Sequence, residues 1–191
     1  GQFYLTRQAK PLGLGHAVWC AKQLVGDEPF AVLLPDVLMK GKTGCMKQMI
    51  EVYNQHGGNI ISVKETPEED IHKYGIIDPG EQNGDAIEVK NVIEKPAAKD
   101  APSNLSVAAR YILQPEIFAH LEKFECGAGD EIQLTDAMAK LIGQQPFNGV
   151  RYEGDMFDCG GRLGFVAANI AYGLDDPDLV APLQEILKSY N

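Results

Sequence analysis

A chain of 191 residues, 45% apolar and 23% charged, has the size and composition of one domain with a full core, or of a large part of one. Its formal charge of -10 argues against nucleic acid or an anionic membrane as a partner, because no basic patch offsets it. A phosphorylated substrate stays open, since phosphate is held by a few local cations and backbone N–H groups rather than by net charge.

No apolar run approaches the length of a membrane span, and no charged-then-apolar leader opens the chain, so a soluble protein is expected. Cys20, Cys45, Cys126 and Cys159 are far apart with no C-x-x-C pair, and His16, His56, His72 and His120 form no H-E-x-x-H. That spacing speaks against a zinc site or a disulfide framework and for reduced thiols in the cytoplasm. There is no internal repeat, low-complexity tract or linker to mark a domain boundary.

The opening residues Gly1 to Arg7 include Phe3, Tyr4 and Leu5 and read as a possible strand. Gln8 to Gly15 is a glycine-containing loop running into helical spacing at Ala17, Cys20, Ala21 and Leu24. Such glycines either bring backbone N–H groups close to a ligand or relieve sterics at a strand-to-helix turn. Phe30 to Leu34 is a short apolar run that reads as a strand buried on both faces, stopped by Pro35. Asp36 follows at once, and ligand crevices of open α/β sheets lie outside the carboxyl ends of strands. It is either a carboxylate aimed at a ligand, suited to a hard cation such as Mg²⁺, or an ordinary Pro-Asp turn.

Met46, Met49, Ile50 and Tyr53 predict an amphipathic helix closed by Gly57-Gly58, and Asn59 to Val63 the next strand. Thr66 to Asp70 reads as a short helix or turn. Tyr74 to Asp78, the turn-rich Pro79 to Gly84, and Ile87 to Glu94 have the signature of a hairpin. Glu94-Lys95-Pro96 puts opposite charges on neighbouring residues, which face opposite sides of a strand unless the proline distorts its end. The plain alternative is a solvated pair at a strand terminus.

Val107 to Leu113 is a further strand, Pro115 starts a helix with Ile117, Phe118 and Leu121, and Gly127 to Asp136 runs into another. Glu131 and Asp136 suit capping and dipole roles there. Gly149 to Tyr152 is the last short strand. Asp158 is a second acid before glycines and a helix from about Leu163 to Tyr172, and Asp178 opens a terminal helix.

In that order, several stretches resemble the bacterial UTP–glucose-1-phosphate uridylyltransferase (UDP-glucose pyrophosphorylase) family of the sugar-nucleotide pyrophosphorylase superfamily. The resemblance rests on Arg7-Gln8 with Gly13 to Val18, Gly26 to Pro29 leading to Leu34-Pro35-Asp36, and Tyr74-Gly75. It continues through Glu94-Lys95-Pro96, Ala101 to Leu105, the ten residues Gly127 to Asp136, and Asp158 to Gly160. It covers essentially the whole chain. By that likeness Gln8 and Gly13 hold the uracil edge, Asp36 and Asp158 ligate Mg²⁺, Gly75 and Glu94 contact glucose, and Lys95 meets the sugar phosphate. The implied catalytic residues are Asp36, Lys95 and Asp158.

The implied fold is α/β: a doubly wound, mostly parallel central sheet with an inserted β-hairpin subdomain. We expect a single nucleotidyltransferase domain over 1–191, a hairpin and sugar-site region at about 66–113, and C-terminal helices at about 161–191. The implied reaction makes UDP-glucose and pyrophosphate from UTP and glucose 1-phosphate in a cytoplasmic homo-oligomer, a dimer or tetramer. A sister thymidylyl- or cytidylyltransferase is the near alternative, and a non-catalytic sugar-nucleotide-binding module the distant one.

One departure stands out. The family's G-x-G-T-R loop and following lysine, which grip the triphosphate, do not occur in these residues. The chain thus resembles the family's C-terminal two-thirds, and by itself is expected to lack that grip.

Overall fold

The computed structural model describes residues 1–190. Within the single domain expected, the chain gathers into two compact units, one of Gly1–Leu33 with Cys45–Tyr152, the other of Leu34–Gly44 with Glu153 to the C-terminus.

The first unit is built on a six-stranded sheet. Its strands are β1 (Phe30–Leu33), β3 (Asn59–Glu65), β4 (Gly75–Asn83), β5 (Ala86–Glu94), β6 (Leu105–Leu113) and β7 (Phe147–Arg151), in the order β1-β6-β3-β7-β5-β4. Helices α1 (Leu14–Trp19), α2 (Lys22–Val25), α3 (Cys45–His56), α4 (Ile117–Leu121) and α5 (Leu134–Leu141) complete it. The core follows from the β-branched run of β3, where Ile60, Ile61 and Val63 are fully buried, and from Met49 and Val52 on the inner face of α3. α3 packs on β3, β6 and β7, while α5 lies on β5 and against α1 and α4.

The mixed α/β sheet agrees with the sequence reading, but the pairing is less parallel than expected. β3–β7 is the one parallel ladder among the described strands; β1–β6, β3–β6, β5–β7 and β4–β5 are antiparallel. β1, β3, β4 and β7 run one way, and the reversed strands β6 and β5 are wedged between them. Apolar runs record burial, not the direction of a neighbour. β6 carries a distortion at Ala109 (φ 58°), where the β3–β6 register shifts, and the Ser62 hydroxyl fills in for the interrupted ladder. It donates to Ala108 O at 3.0 Å and accepts from Arg110 N at 3.2 Å.

Three further expectations are corrected. Gly1 to Arg7 forms no strand and is exposed, having no ladder partner. β1 is not buried on both faces: it pairs with β6 alone, and its residues alternate between half-buried and exposed, Leu33 being 51% exposed. The hairpin is not a separate subdomain, because β5 pairs with β7 and β4 with β6, making it part of the sheet. Its turn is also tighter than expected. β4 continues through Pro79 with shifted register to Asn83, and Gly84 (φ 61°) and Asp85 make the bend.

The second unit holds a two-stranded antiparallel ribbon, β2 (Val37–Lys40) with β8 (Asp155–Asp158), and helices α6 (Arg162–Gly173) and α7 (Val180–Ser189). α6 lies so close to β8 that a Cβ on Gly164 would stand 1.9 Å from the Asp158 carbonyl oxygen. Tyr172 donates to Met39 O, and the Lys40 ammonium to Ala171 O at 2.7 Å, tying α6 to β2.

Candidate functional site

Gln8 and Gly13, paired by the sequence reading, are in contact. The Gln8 Nε2 donates to the Gly13 carbonyl at 3.0 Å and lies 2.9 Å from His16 Nδ1 on α1. A carbonyl can only accept, so this bond fixes the orientation of the amide.

The glycines of the loop have a structural cause of their own. Residues 12–15 run against residues 131–133, with Gly15 N donating to Ile132 O and Ile132 N to Leu12 O, both at 2.8 Å. A Cβ on Gly13 (φ 102°) would stand 2.8 Å from Ile132 O, and one on Gly15 2.7 Å from the same oxygen. Close approach of two chain segments, the steric alternative weighed for this loop, accounts for both residues.

Gly75 and Glu94 are opposite each other at the open end of the hairpin, paired across β4 and β5. Glu94 is only 12% exposed, and its carboxylate lies over Gly75, 3.2 Å from where a Cβ would be. Alternation along a strand would send Lys95 to the other face. Instead Lys95 takes φ 47°, its N–H donates to Tyr74 O at 3.0 Å, and its ammonium comes back to 3.6 Å from Glu94 Oε1. A left-handed non-glycine residue costs of order 1 kcal/mol and persists where the surroundings demand it. The strand-end distortion required for both residues to face one side is present. Beneath them Tyr111 is buried, and burial together with the Glu94 charge pushes its phenol well above its ordinary pKa.

In the second unit the ribbon register pairs Val37 with Asp158, and Cys159 N donates to Asp36 O at 2.7 Å. The two acids, 122 positions apart in sequence, are thereby neighbours. A point at the Cβ position of Gly160 lies 3.1 Å from Asp158 Oδ1 and 3.5 Å from Asp36 Oδ2. Gly160 N also donates to Asp158 Oδ1 at 3.0 Å, which steadies that carboxylate. Both side chains are exposed, and among the described residues no group of three or more His, Cys, Asp or Glu forms around a common point. An oxygen-only pair open to solvent fits Mg²⁺, which keeps several waters and is bound by one or two carboxylates together with substrate phosphates.

The nucleotidyl transferase family model matches residues 2–165. The chain belongs to the nucleotidyl transferase family.

Within that family it is 53% identical over 151 residues to a UTP–glucose-1-phosphate uridylyltransferase of Komagataeibacter xylinus, covering 79% of this chain and 53% of the relative. Among solved structures it is similar to a UDP-glucose pyrophosphorylase complexed with UDP-glucose, at a TM-score of 0.85 and 37% identity, covering 89% of this chain and 65% of that one. It is also similar to a UTP-bound enzyme of the same type from Acinetobacter baumannii, at 0.83 and 40%, covering 95% and 64%. The chain thus spans between 53% and 65% of the length of these relatives.

Two features of the candidate site were missed in the sequence. The β2–β8 ribbon that joins the acids consists of two four-residue strands, too short for alternation to register. Thr135, in the first turn of α5, lies against Gly75 beside Glu94, and only the tertiary fold brings it there.

Proposed function

We propose that the full-length protein is a uridylyltransferase that forms UDP-glucose and pyrophosphate from UTP and glucose 1-phosphate. The observation that carries this reading is the Glu94–Lys95 pair. A partly buried carboxylate, which accepts sugar hydroxyls, is held beside an ammonium, which meets a phosphate, by a left-handed backbone turn at Lys95. The names of the relatives above support it.

The roles follow from the chemistry of each side chain. Glu94 orients the glucose through its hydroxyls over Gly75, and Lys95 holds the phosphate. With the sugar fixed, a phosphate oxygen of glucose 1-phosphate attacks the α-phosphorus of UTP. A new P–O bond forms as the bond to the leaving pyrophosphate breaks in line, so the protein supplies positioning and electrostatics rather than covalent chemistry. Gln8, its Nε2 engaged with Gly13, offers Oε1 to the imide N–H of uracil. Cytosine carries no hydrogen on that ring nitrogen, which would set two acceptors against each other, so the contact selects against CTP. Asp36 and Asp158 would hold Mg²⁺, which when bound neutralises charge between two polyanionic reactants.

The test is pyrophosphate release by the full-length protein from UTP, dTTP and CTP, each with glucose 1-phosphate. The reading expects UTP to be used best and CTP worst. Faster release from dTTP or CTP would assign the sister activity instead.

A further inference from the structure

The Gln8 amide has a second anchor. Its Nε2 stands 3.0 Å from the Gly13 carbonyl and 2.9 Å from His16 Nδ1, and an amide nitrogen carries two hydrogens and accepts none. With one hydrogen on Gly13 O, the other points at His16, so Nδ1 is the acceptor and the neutral imidazole carries its proton on Nε2. The Cys20 thiol, 3.8 Å from the same Nδ1, adds a weak donor on that side. Turned over, the amide would set Oε1 against the Gly13 carbonyl and the Nδ1 lone pair together. The imidazole is itself held in place. Trp19 stacks on it at 5.7 Å between ring centroids, Phe124 lies tilted against it at 5.6 Å, and these two rings meet edge to face at 4.7 Å. Phe124 reaches that position from a left-handed backbone (φ 52°), uncommon for an aromatic residue. Phenylalanine would fill the same place between the two rings as His16 does. What the imidazole adds is an acceptor facing Gln8.

We infer that His16 is a positioning residue for the choice of base: by accepting from Gln8 Nε2 it keeps Oε1 turned toward the nucleotide and so sets the preference for an imide over cytosine. The inference rests on the uracil contact proposed above and goes beyond it, because His16 acts only through Gln8. A single bond to Gly13 O leaves the amide free to swing about that bond. Two acceptors at fixed places occupy both amide hydrogens and define the amide plane. A preorganised acceptor of this kind discriminates strongly, since a base that cannot donate to it leaves it opposed or unpaired.

The test separates the acceptor from the ring. Pyrophosphate release by the full-length protein is measured with glucose 1-phosphate and UTP, dTTP or CTP, for the parent, His16→Phe and His16→Asn. His16→Phe keeps a ring between Trp19 and Phe124 but loses the acceptor. His16→Asn loses the ring but keeps an acceptor, since asparagine carries Oδ1 where histidine carries Nδ1. His16→Phe is expected to lose about tenfold in kcat/KM with UTP and with dTTP, whose base has the same imide N–H, and to lose nothing with CTP. The loss should fall on KM for the nucleotide, with KM for glucose 1-phosphate unchanged. The preference for UTP over CTP thus drops about tenfold while that for UTP over dTTP stays as it was. His16→Asn should keep both preferences. Ratios between nucleotides within one variant do not depend on the fraction folded, and His16→Leu carries the same comparison if the phenylalanine protein is lost. An unchanged preference for UTP over CTP in His16→Phe, or an equal drop in His16→Asn, overturns the inference. If the parent does not favour UTP over CTP, the proposed function falls and this inference with it. If the parent does and His16→Phe favours it equally, only this inference falls.

Discussion

The four cysteines illustrate how burial separates side chains of one type. Cys45 begins α3 facing the core, and burial pushes its thiol up to about 11, against the smaller opposing pull of the Arg110 charge. Cys126 is exposed. The thiolate is the reactive form, and a thiol with a raised pKa stays protonated until the pH climbs through that higher value. Below an ordinary thiol pKa the native protein therefore keeps Cys45 inert. At pH 8 a disulfide reagent such as dithiobisnitrobenzoate should label Cys126 within minutes and Cys45 only after urea is added; rapid native labelling of Cys45 would show that its site opens. The same residue-scale view explains Lys95. Charge pattern left Glu94-Lys95 as an ordinary solvated pair and the family resemblance singled it out, but the left-handed turn that puts both on one side is a backbone event that no side-chain pattern records.

At the scale of elements, the glycine loop and the segment leading into α5 are joined by contact between backbones, and that contact predicts a stability effect. Gly15 has ordinary backbone angles, so alanine there is a purely steric change. Its Cβ would stand 2.7 Å from Ile132 O and 2.9 Å from Leu121 Cδ2. Backbone cannot yield cheaply, and Gly15→Ala should destabilise the protein by about 1–3 kcal/mol, the usual cost of overpacking. A urea midpoint unchanged from the parent would mean that the loop is not packed as described. Most elements were legible beforehand because their periodicity is strong: α3 from Met46, Met49 and Tyr53, β3 from its β-branched run, the hairpin from its turn residues, and α6 within a residue or so of its ends. What was not legible is pairing. Hydrophobic pattern reports which face is buried, and nothing in Phe30 to Leu33 or Val107 to Leu113 announces that β6 runs backwards beside β1. The apolar run of β1 likewise suggested burial on both sides, although a strand with one partner exposes alternate residues.

For the whole molecule, the chain splits the implied chemistry between its two units. Gln8, Gly13, Gly75, Glu94 and Lys95 belong to the first, Asp36 and Asp158 to the second. Each unit assembles its own residues by short-range means: a side-chain amide on a carbonyl, a cross-strand pair, a ribbon of two short strands. Sequence resemblance named these residues, and the fold supplies the reason that the members of each set are neighbours. The central claim is that the two acids act as one unit. Pyrophosphate release from UTP and glucose 1-phosphate is therefore measured at saturating Mg²⁺ for the full-length protein, for Asp36→Ala, for Asp158→Ala and for the double variant. Both side chains are exposed, so folding should be preserved, as circular dichroism would verify. Each single variant is predicted to lose at least about 100-fold in rate, and the double little more than either, since groups holding one ion fail together. Either single variant turning over within a few-fold of the parent would contradict the account.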